Sequence, residues 1–304
     1  MKGKMYMENR IELLKPKIDV VFHSLFKKGN ERITKAIISS ITKEEIKEIQ
    51  LEDRHIIGKY PEEKLGILDL KAILDDGAIC DIEIQLADNK DTAERFLYYW
   101  SRIFSSQLEK GKPYKELNKV IGIIILDYEF DKTKNIEEIS TRWKIIEETT
   151  GIELDLTDKF ELFIIEIPKA RRMMESNQKD KLTQWMLFLD NPNNKEVLEI
   201  MNKNEEIKEA MEELEEISKD KELRLIAELK EKAIRDERNM MEHAIEDGLK
   251  QGIEQGIEQG IQQGIEQGTK QAEIKMAQYL KSKNIDMEII MEATNLTKEE
   301  IEKL

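Results

Sequence analysis

The sequence predicts an α/β fold, a mixed central sheet flanked by helices, followed by an α-helical C-terminal extension. Three observations predict it. Residues 66–86, "GILDLKAILDDGAICDIEIQL", alternate apolar and polar residues on either side of Asp75-Asp76-Gly77, the pattern of a β-hairpin. Two further runs, "VIGIIILDY" (120–128) and "FELFIIEIP" (160–168), are almost continuously apolar, as strands buried on both faces are. From about residue 194 the chain is rich in Glu, Lys, Leu and Met, and glycine recurs every fourth residue from Gly248 to Gly268.

Taken in order, "KIDVVFHSLFKK" places Ile18, Val21, Phe22, Leu25 and Phe26 at helical spacing, an amphipathic first helix. A second helix is expected over about 30–40. After the hairpin, residues 91–110 read as one long helix: Asp91 with Glu94 has the spacing of a capping box, and Gly111 followed by Pro113 is a stop. The strands at 120–128 and 160–168, the latter closed by Pro168, complete a layered domain expected to occupy 1–190. Residues 191–247 form an acidic helical segment with little core of their own. In the Gly-x-x-x repeat of 248–270, Ile253, Ile257, Ile261 and Ile265 follow the glycines. A four-residue period drifts about 40° per repeat around a helix, and each glycine costs roughly 1 kcal/mol of helix propensity. The repeat is therefore either a flexible linker or a helix stabilised by packing against another copy. Residues 271–304 read as short helices, with Thr297 opening a capping box.

The chain has 304 residues and a net charge of −15, of which −9 falls in residues 196–247. The first 195 residues are close to neutral, so the acidity belongs to solvated helix and leaves a local nucleic-acid patch open. The single cysteine, Cys80, excludes an internal disulfide framework and a multi-cysteine zinc site. No apolar window reaches the length of a membrane span, and the first residues lack a secretory core; a cytoplasmic protein is expected.

The hairpin carries the functional content. A three-residue Asp75-Asp76-Gly77 loop, with Gly77 left-handed, pairs Leu74 with Ala78. Ala72 then faces Cys80 and Leu70 faces Ile82 on an apolar side, while Lys71 faces Asp81 and Asp69 faces Glu83 on the other. A two-residue loop would mix the faces. Like charges opposed across a strand pair repel. Either a divalent cation joins Asp69 and Glu83, as Mg²⁺ is held by few carboxylates, or the hairpin is an ordinary amphipathic one whose acidic face Lys71 neutralises.

Asp69 followed by Glu83-x-Gln85 resembles the PD-(D/E)xK nucleases, and more narrowly the recombination-promoting nuclease and transposase-like family. The likeness runs through "KPKIDVVFHSLF", the hairpin, "RFLYYWSRIFSSQLEKGKPYKELNKVIGIIIL" and "FELFIIEIPK", about residues 15–190. It implies a restriction-endonuclease-like core and a Mg²⁺-dependent DNA endonuclease, with Mn²⁺ as substitute, of low sequence specificity and associated with recombination or mobile elements. Asp69 and Glu83 would be the metal carboxylates. Gln85 stands where the wider superfamily has lysine, and Gln is common there in the narrower family. Lys71, on the same face, is a candidate for the missing positive charge. Asp19 matches an early acidic position of the family; as a first-turn helix acid it also suits the helix dipole. Along the long helix Arg95, Tyr99 and Arg102, with Gln107 near its end, form a polar stripe suited to phosphate and base contacts. "PKARR" (168–172) is a further small basic cluster. The expected partners are DNA and, through the glycine repeat, further copies of the chain, with no membrane. The rival expectations are a self-associating nuclease-fold scaffold with little catalysis and an RNA-directed nuclease.

Overall fold

The computed structural model describes residues 11–52, 56–57, 66–67, 70–88, 90–152, 158–174 and 179–304. The chain divides into two compact units, residues 1–235 and 236–304.

In the first unit, helices α1 (Asp19–Leu25) and α2 (Glu31–Thr42) precede strand β1 (Ile49–Glu52). A short antiparallel ribbon, β2 (Ile56–Ile57) with β3 (Gly66–Ile67), leads to the hairpin β4 (Leu70–Leu74) and β5 (Ile79–Gln85). Helix α3 (Thr92–Ser106) crosses to β6 (Val120–Leu126), followed by β7 (Ser140–Trp143) and β8 (Phe160–Glu166). The six strands of the main sheet run in the order β1-β4-β5-β6-β8-β7. Its centre, β5-β6-β8, is parallel, and both flanks are antiparallel. The mixed sheet flanked by helices is the expected fold.

The hairpin register is the one that the Asp-Asp-Gly turn dictates: Leu70 faces Ile82, Lys71 faces Asp81 and Ala72 faces Cys80. Gly77 has φ +83°, and its amide donates to Leu74 O at 2.9 Å, as does the Leu74 amide to Ala78 O. Asp76 Oδ1 accepts from the Ala78 amide at 2.9 Å and locks the turn. Residues 68 and 69 lie outside the described residues, and the expected Asp69–Glu83 pairing lies there with them.

Alternation gives the sheet two distinct faces. On one, Cys80, Ile82, Ile84, Ile121, Ile123 and Ile125 join the main core with Phe22 of α1 and Ile37 of α2. On the other, α3 lies over β5 and β6, its Phe96 against Ile124 and Leu126 and its Ile103 against Ile79 and Val120. Trp100 Nε1 donates to Val120 O at 3.0 Å, and its ring stacks on Phe104 at 4.9 Å.

Several local expectations change. Asp91 precedes α3 but makes no side-chain cap, since its backbone (φ −115°, ψ 15°) departs from the extended N-cap conformation. Pro168 follows the end of β8, where it sits in the first turn of helix α4 (Ile167–Arg172); a missing amide costs nothing there. The core also runs past residue 190. Helices α5 (Lys181–Asp190), α6 (Lys195–Met201) and α7 (Glu205–Lys219) follow. Val197, Ile207, Ala210, Met211, Leu214 and Ile217 are buried with the central strands. The apolar stripe of α7 is regular; the surrounding glutamates disguise it in a composition count.

Helix α8 (Lys221–Ser282) contains the whole glycine repeat, so the tract is helical. A Cβ on any of its six glycines would meet nothing within 4 Å, and its four isoleucines are each more than half exposed. In the second unit α9 (Met287–Thr294) and α10 (Lys298–Glu302) bury Ile290, Leu296 and Ile301 with Ala277 of α8. Thr297 forms the expected capping box with Glu300. Among the described residues no helix is long and apolar enough to cross a membrane.

Candidate functional site

The site is built on the face of β5 that α3 covers. Ile79, Asp81, Glu83 and Gln85 share this face by alternation, and Asp81, Glu83 and Gln85 are all buried, at 2, 6 and 8 % exposure. Successive acids on one buried strand face cost free energy unless charge or hydrogen bonds compensate. One lateral row supplies part of that compensation: Glu52, Lys71, Asp81 and Gly122 stand side by side on β1, β4, β5 and β6. Lys71 Nζ lies 2.8 Å from Glu52 Oε2. The expected lysine is thus on the right face, but its ammonium is already paired one strand outward.

Gln85 closes β5 and is held firmly. Its Oε1 lies 3.1 Å from Thr92 Oγ1 and 3.2 Å from Tyr128 OH, and the two hydroxyls are 2.6 Å apart, so one of them donates to Oε1 and the other bridges the pair. Thr92 is the first residue of α3 and Tyr128 lies just past β6. The backbone adds a tie, because the Asp127 amide donates to Gln85 O at 2.9 Å. Burial pushes the Tyr128 phenol upward, against the opposing effect of its bond to Thr92, so it is protonated and a donor at neutral pH.

Beside Asp127 lies a four-residue ionic cluster that spacing alone does not reveal. Lys17 Nζ reaches Asp127 Oδ2 at 2.9 Å and Asp190 Oδ1 at 2.7 Å. The Arg171 guanidinium binds Asp190 through Nε at 2.7 Å and Nη2 at 2.5 Å, and also binds Asp127. These contacts raise the Arg171 pKa, its bond to Asp190 first. Burial alone would raise that of Asp190, but Arg171 and Lys17 outweigh it and hold the carboxyl below its usual range. The basic side chains of "PKARR" are thus all paired with carboxylates. Lys169 is fully buried, 2.5 Å from Glu166 Oε2, and Arg172 pairs with Glu129.

The remaining expected residues scatter. Asp19 begins α1, where its carboxylate accepts from the Val20 amide and pairs with Lys230 of α8, partners that are not on β5. Arg95 and Tyr99 do lie together on α3, the guanidinium 6.0 Å from the ring centroid, and Tyr99 leans on Ile79 and Val120. Arg102 is half-buried on the same helix. Gln107 makes a two-point clamp on one backbone residue, accepting from Asn118 N at 2.8 Å and donating to Asn118 O at 3.2 Å. Its amide braces the loop before β6.

The donors on this face are hard oxygens, which fit a cation such as Mg²⁺ and not a thiolate-seeking metal. Among the described residues no group of three or more His, Cys, Asp or Glu is placed to hold a metal; Asp69, the expected partner of Glu83, is not among them. Cys80 points to the opposite, apolar face, and burial drives its thiol pKa up.

The family model described as "PD-(D/E)XK nuclease family transposase" matches residues 16–244. No curated protein and no solved structure matches the chain. The matched span extends past the β8 region through α5, α6 and α7, the helices that complete the core. Nucleases of this family generally use divalent metals and act on nucleic acid, and the mixed sheet agrees with their restriction-endonuclease-like fold. With the Glu83-x-Gln85 strand inside the match and the fold in agreement, the chain belongs to the PD-(D/E)XK nuclease family of transposases.

Proposed function

We propose that the protein is a Mg²⁺-dependent DNA endonuclease of low intrinsic sequence specificity, acting in recombination or element mobility. What supports this reading is the burial of Glu83 and Gln85, two residues apart, on one face of β5 within the family match. Asp69 and Glu83 are the residues that would hold the ion, with Mn²⁺ as substitute. When bound, Mg²⁺ polarises the phosphodiester and offsets the charge that develops during hydrolysis. Gln85 orients an oxygen of the reacting group through a hydrogen bond, and Arg95, Tyr99 and Arg102 on α3 contact the nucleic-acid backbone and bases. Lys71 contributes electrostatically through Asp81 and Glu52, lowering the net negative charge of the row without touching substrate. Asp19 has no part in this reading beyond anchoring α1 to α8.

We also propose that copies of the chain associate through α8. The observation that favours this is the exposure of Ile253, Ile257, Ile261 and Ile265 on successive turns, beside glycines that leave the backbone open to close approach.

The test is nicking of supercoiled plasmid with Mg²⁺, with EDTA, and by Asp69→Ala and Glu83→Ala proteins of unchanged circular dichroism. Nicking should need Mg²⁺ and both carboxylates. Nicking that survives EDTA and both substitutions would reject the assignment, and cleavage of RNA with plasmid untouched would move the substrate to RNA.

A further inference from the structure

The oxygen end of the Gln85 amide is the one turned toward the Thr92 and Tyr128 hydroxyls. Thr92 and Tyr128 each carry one hydroxyl proton. With their oxygens 2.6 Å apart and both within 3.2 Å of Gln85 Oε1, one proton bridges the hydroxyls and the other goes to the amide oxygen. Both protons are used inside the cluster. Thr92 is buried at 2 % exposure, and its place at the first turn of α3 is fixed by Phe96 one turn later. Tyr128 is fixed by the backbone bond that ties Asp127 to Gln85. The amide oxygen is therefore turned into the protein, and the NH₂ group is the end that these hydroxyls do not take.

We propose that Thr92 and Tyr128 are positioning residues: they capture the Gln85 carbonyl so that the side chain offers N–H donors to an anionic phosphodiester oxygen, rather than a carbonyl ligand to a cation. The inference rests on the nuclease reading of this site and deepens it. It also gives a chemical reason for glutamine where related nucleases have lysine. An ammonium has donors and no acceptor; a glutamine whose oxygen is captured presents the same polarity to its ligand without the charge. A glutamine free to turn would present either end; with the oxygen inward both hydroxyl protons find acceptors within the cluster, whereas with the NH₂ inward one of them would find none there.

The two possible roles respond oppositely to Gln85→Glu. A cation ligand would be replaced by a stronger one, and cleavage would persist; a donor would be replaced by an acceptor that repels phosphate, and cleavage would fall. The experiment measures steady-state cleavage of a fluorogenic DNA duplex by the full chain, alongside Thr92→Val, Tyr128→Phe, their double variant and Thr92→Ser. The expected result is loss of cleavage in Q85E and a roughly 10–100-fold fall in kcat at similar KM in the double variant. Each single variant should lose less, and Thr92→Ser should recover most of the Thr92→Val loss. A second readout is independent of turnover: the Gln85 side-chain NH₂ resonances, identified by their loss in Gln85→Ala, are followed by NMR in metal-free buffer as the duplex is added. They should shift in the wild type and shift less in the double variant. Wild-type cleavage with an equally active double variant, or with an active Q85E, overturns this proposal alone. Absence of divalent-dependent cleavage by the wild type overturns the nuclease reading, and this inference with it.

Discussion

The ring of Phe96 fills the space that a side chain on Gly122 would need: a Cβ there would lie 2.1 Å from Phe96 Cε2 and 2.3 Å from Cζ. Gly122 is the neighbour of Asp81 on the adjoining parallel strand, so this contact sets how closely α3, and Thr92 at its start, approaches the acidic face of β5. Gly122→Ala should destabilise the protein by about 1–3 kcal/mol through overpacking, or a fall in Tm of about 2–4 °C per kcal/mol for a domain of this size. Phe96→Leu in the same chain should recover part of the loss. Thermal denaturation of the single and double variants measures both, and an unperturbed Gly122→Ala protein would mean that the helix sits farther off.

Glu166 and Lys169 form a buried ion pair. Glu166 also accepts from the Phe130 amide at 2.8 Å and from Thr133 Oγ1 at 2.9 Å, while Lys169 donates to Thr133 O at 3.1 Å. Lys169→Met strands a charge and should cost about 3–5 kcal/mol. Adding Glu166→Gln removes the charge but keeps an acceptor for the Phe130 amide, so it should restore part of that stability in urea unfolding.

The ionic cluster predicts a definite pH dependence. The carboxyl of Asp190 has a folded pKa below its unfolded value, so its contribution is present above the unfolded pKa of about 3.9 and fades as pH falls through the folded value. Asp190→Asn should be less stable than wild type by about 2 kcal/mol at pH 7, and the gap should narrow below about pH 4. Urea unfolding at pH 7 and pH 3 decides it; a constant gap would assign the loss to packing.

For the glycine repeat, two effects of one change separate helix from interface. Replacing all six glycines of the tract by alanine should strengthen the helix by roughly 1 kcal/mol per site, since each new Cβ meets open space. The same change should weaken self-association, because the added methyls hold a second helix away. Circular dichroism and sedimentation of the full chain should move in opposite directions. An unchanged sedimentation profile would leave the tract a solvated helix.

The hairpin was legible because a turn of specific chemistry and a period of two agree on one register, in which Leu70 meets Ile82. The sheet centre was legible because "VIGIIIL" has no polar side chain to place. What stayed hidden depends on strand order. Lys17, Asp127, Arg171 and Asp190 are far apart in the chain and meet only because β8 lies beside β6 and α4 and α5 follow it. Thr92 and Tyr128 carried no signal either, being single hydroxyls at the ends of a helix and a strand. The partners of the basic run 168–172 were hidden for a related reason: its charges face carboxylates supplied by other elements.

In the proposed function Glu83, with Asp69, holds a hard divalent ion on the face of β5 that α3 covers. The decisive measurement is a crystal grown with Mn²⁺, with anomalous difference density examined beside the Glu83 carboxylate. A strong peak there, lost in an isomorphous Glu83→Ala crystal, is the result expected. No peak at Glu83 under saturating Mn²⁺, or a peak that persists without its carboxylate, would contradict it.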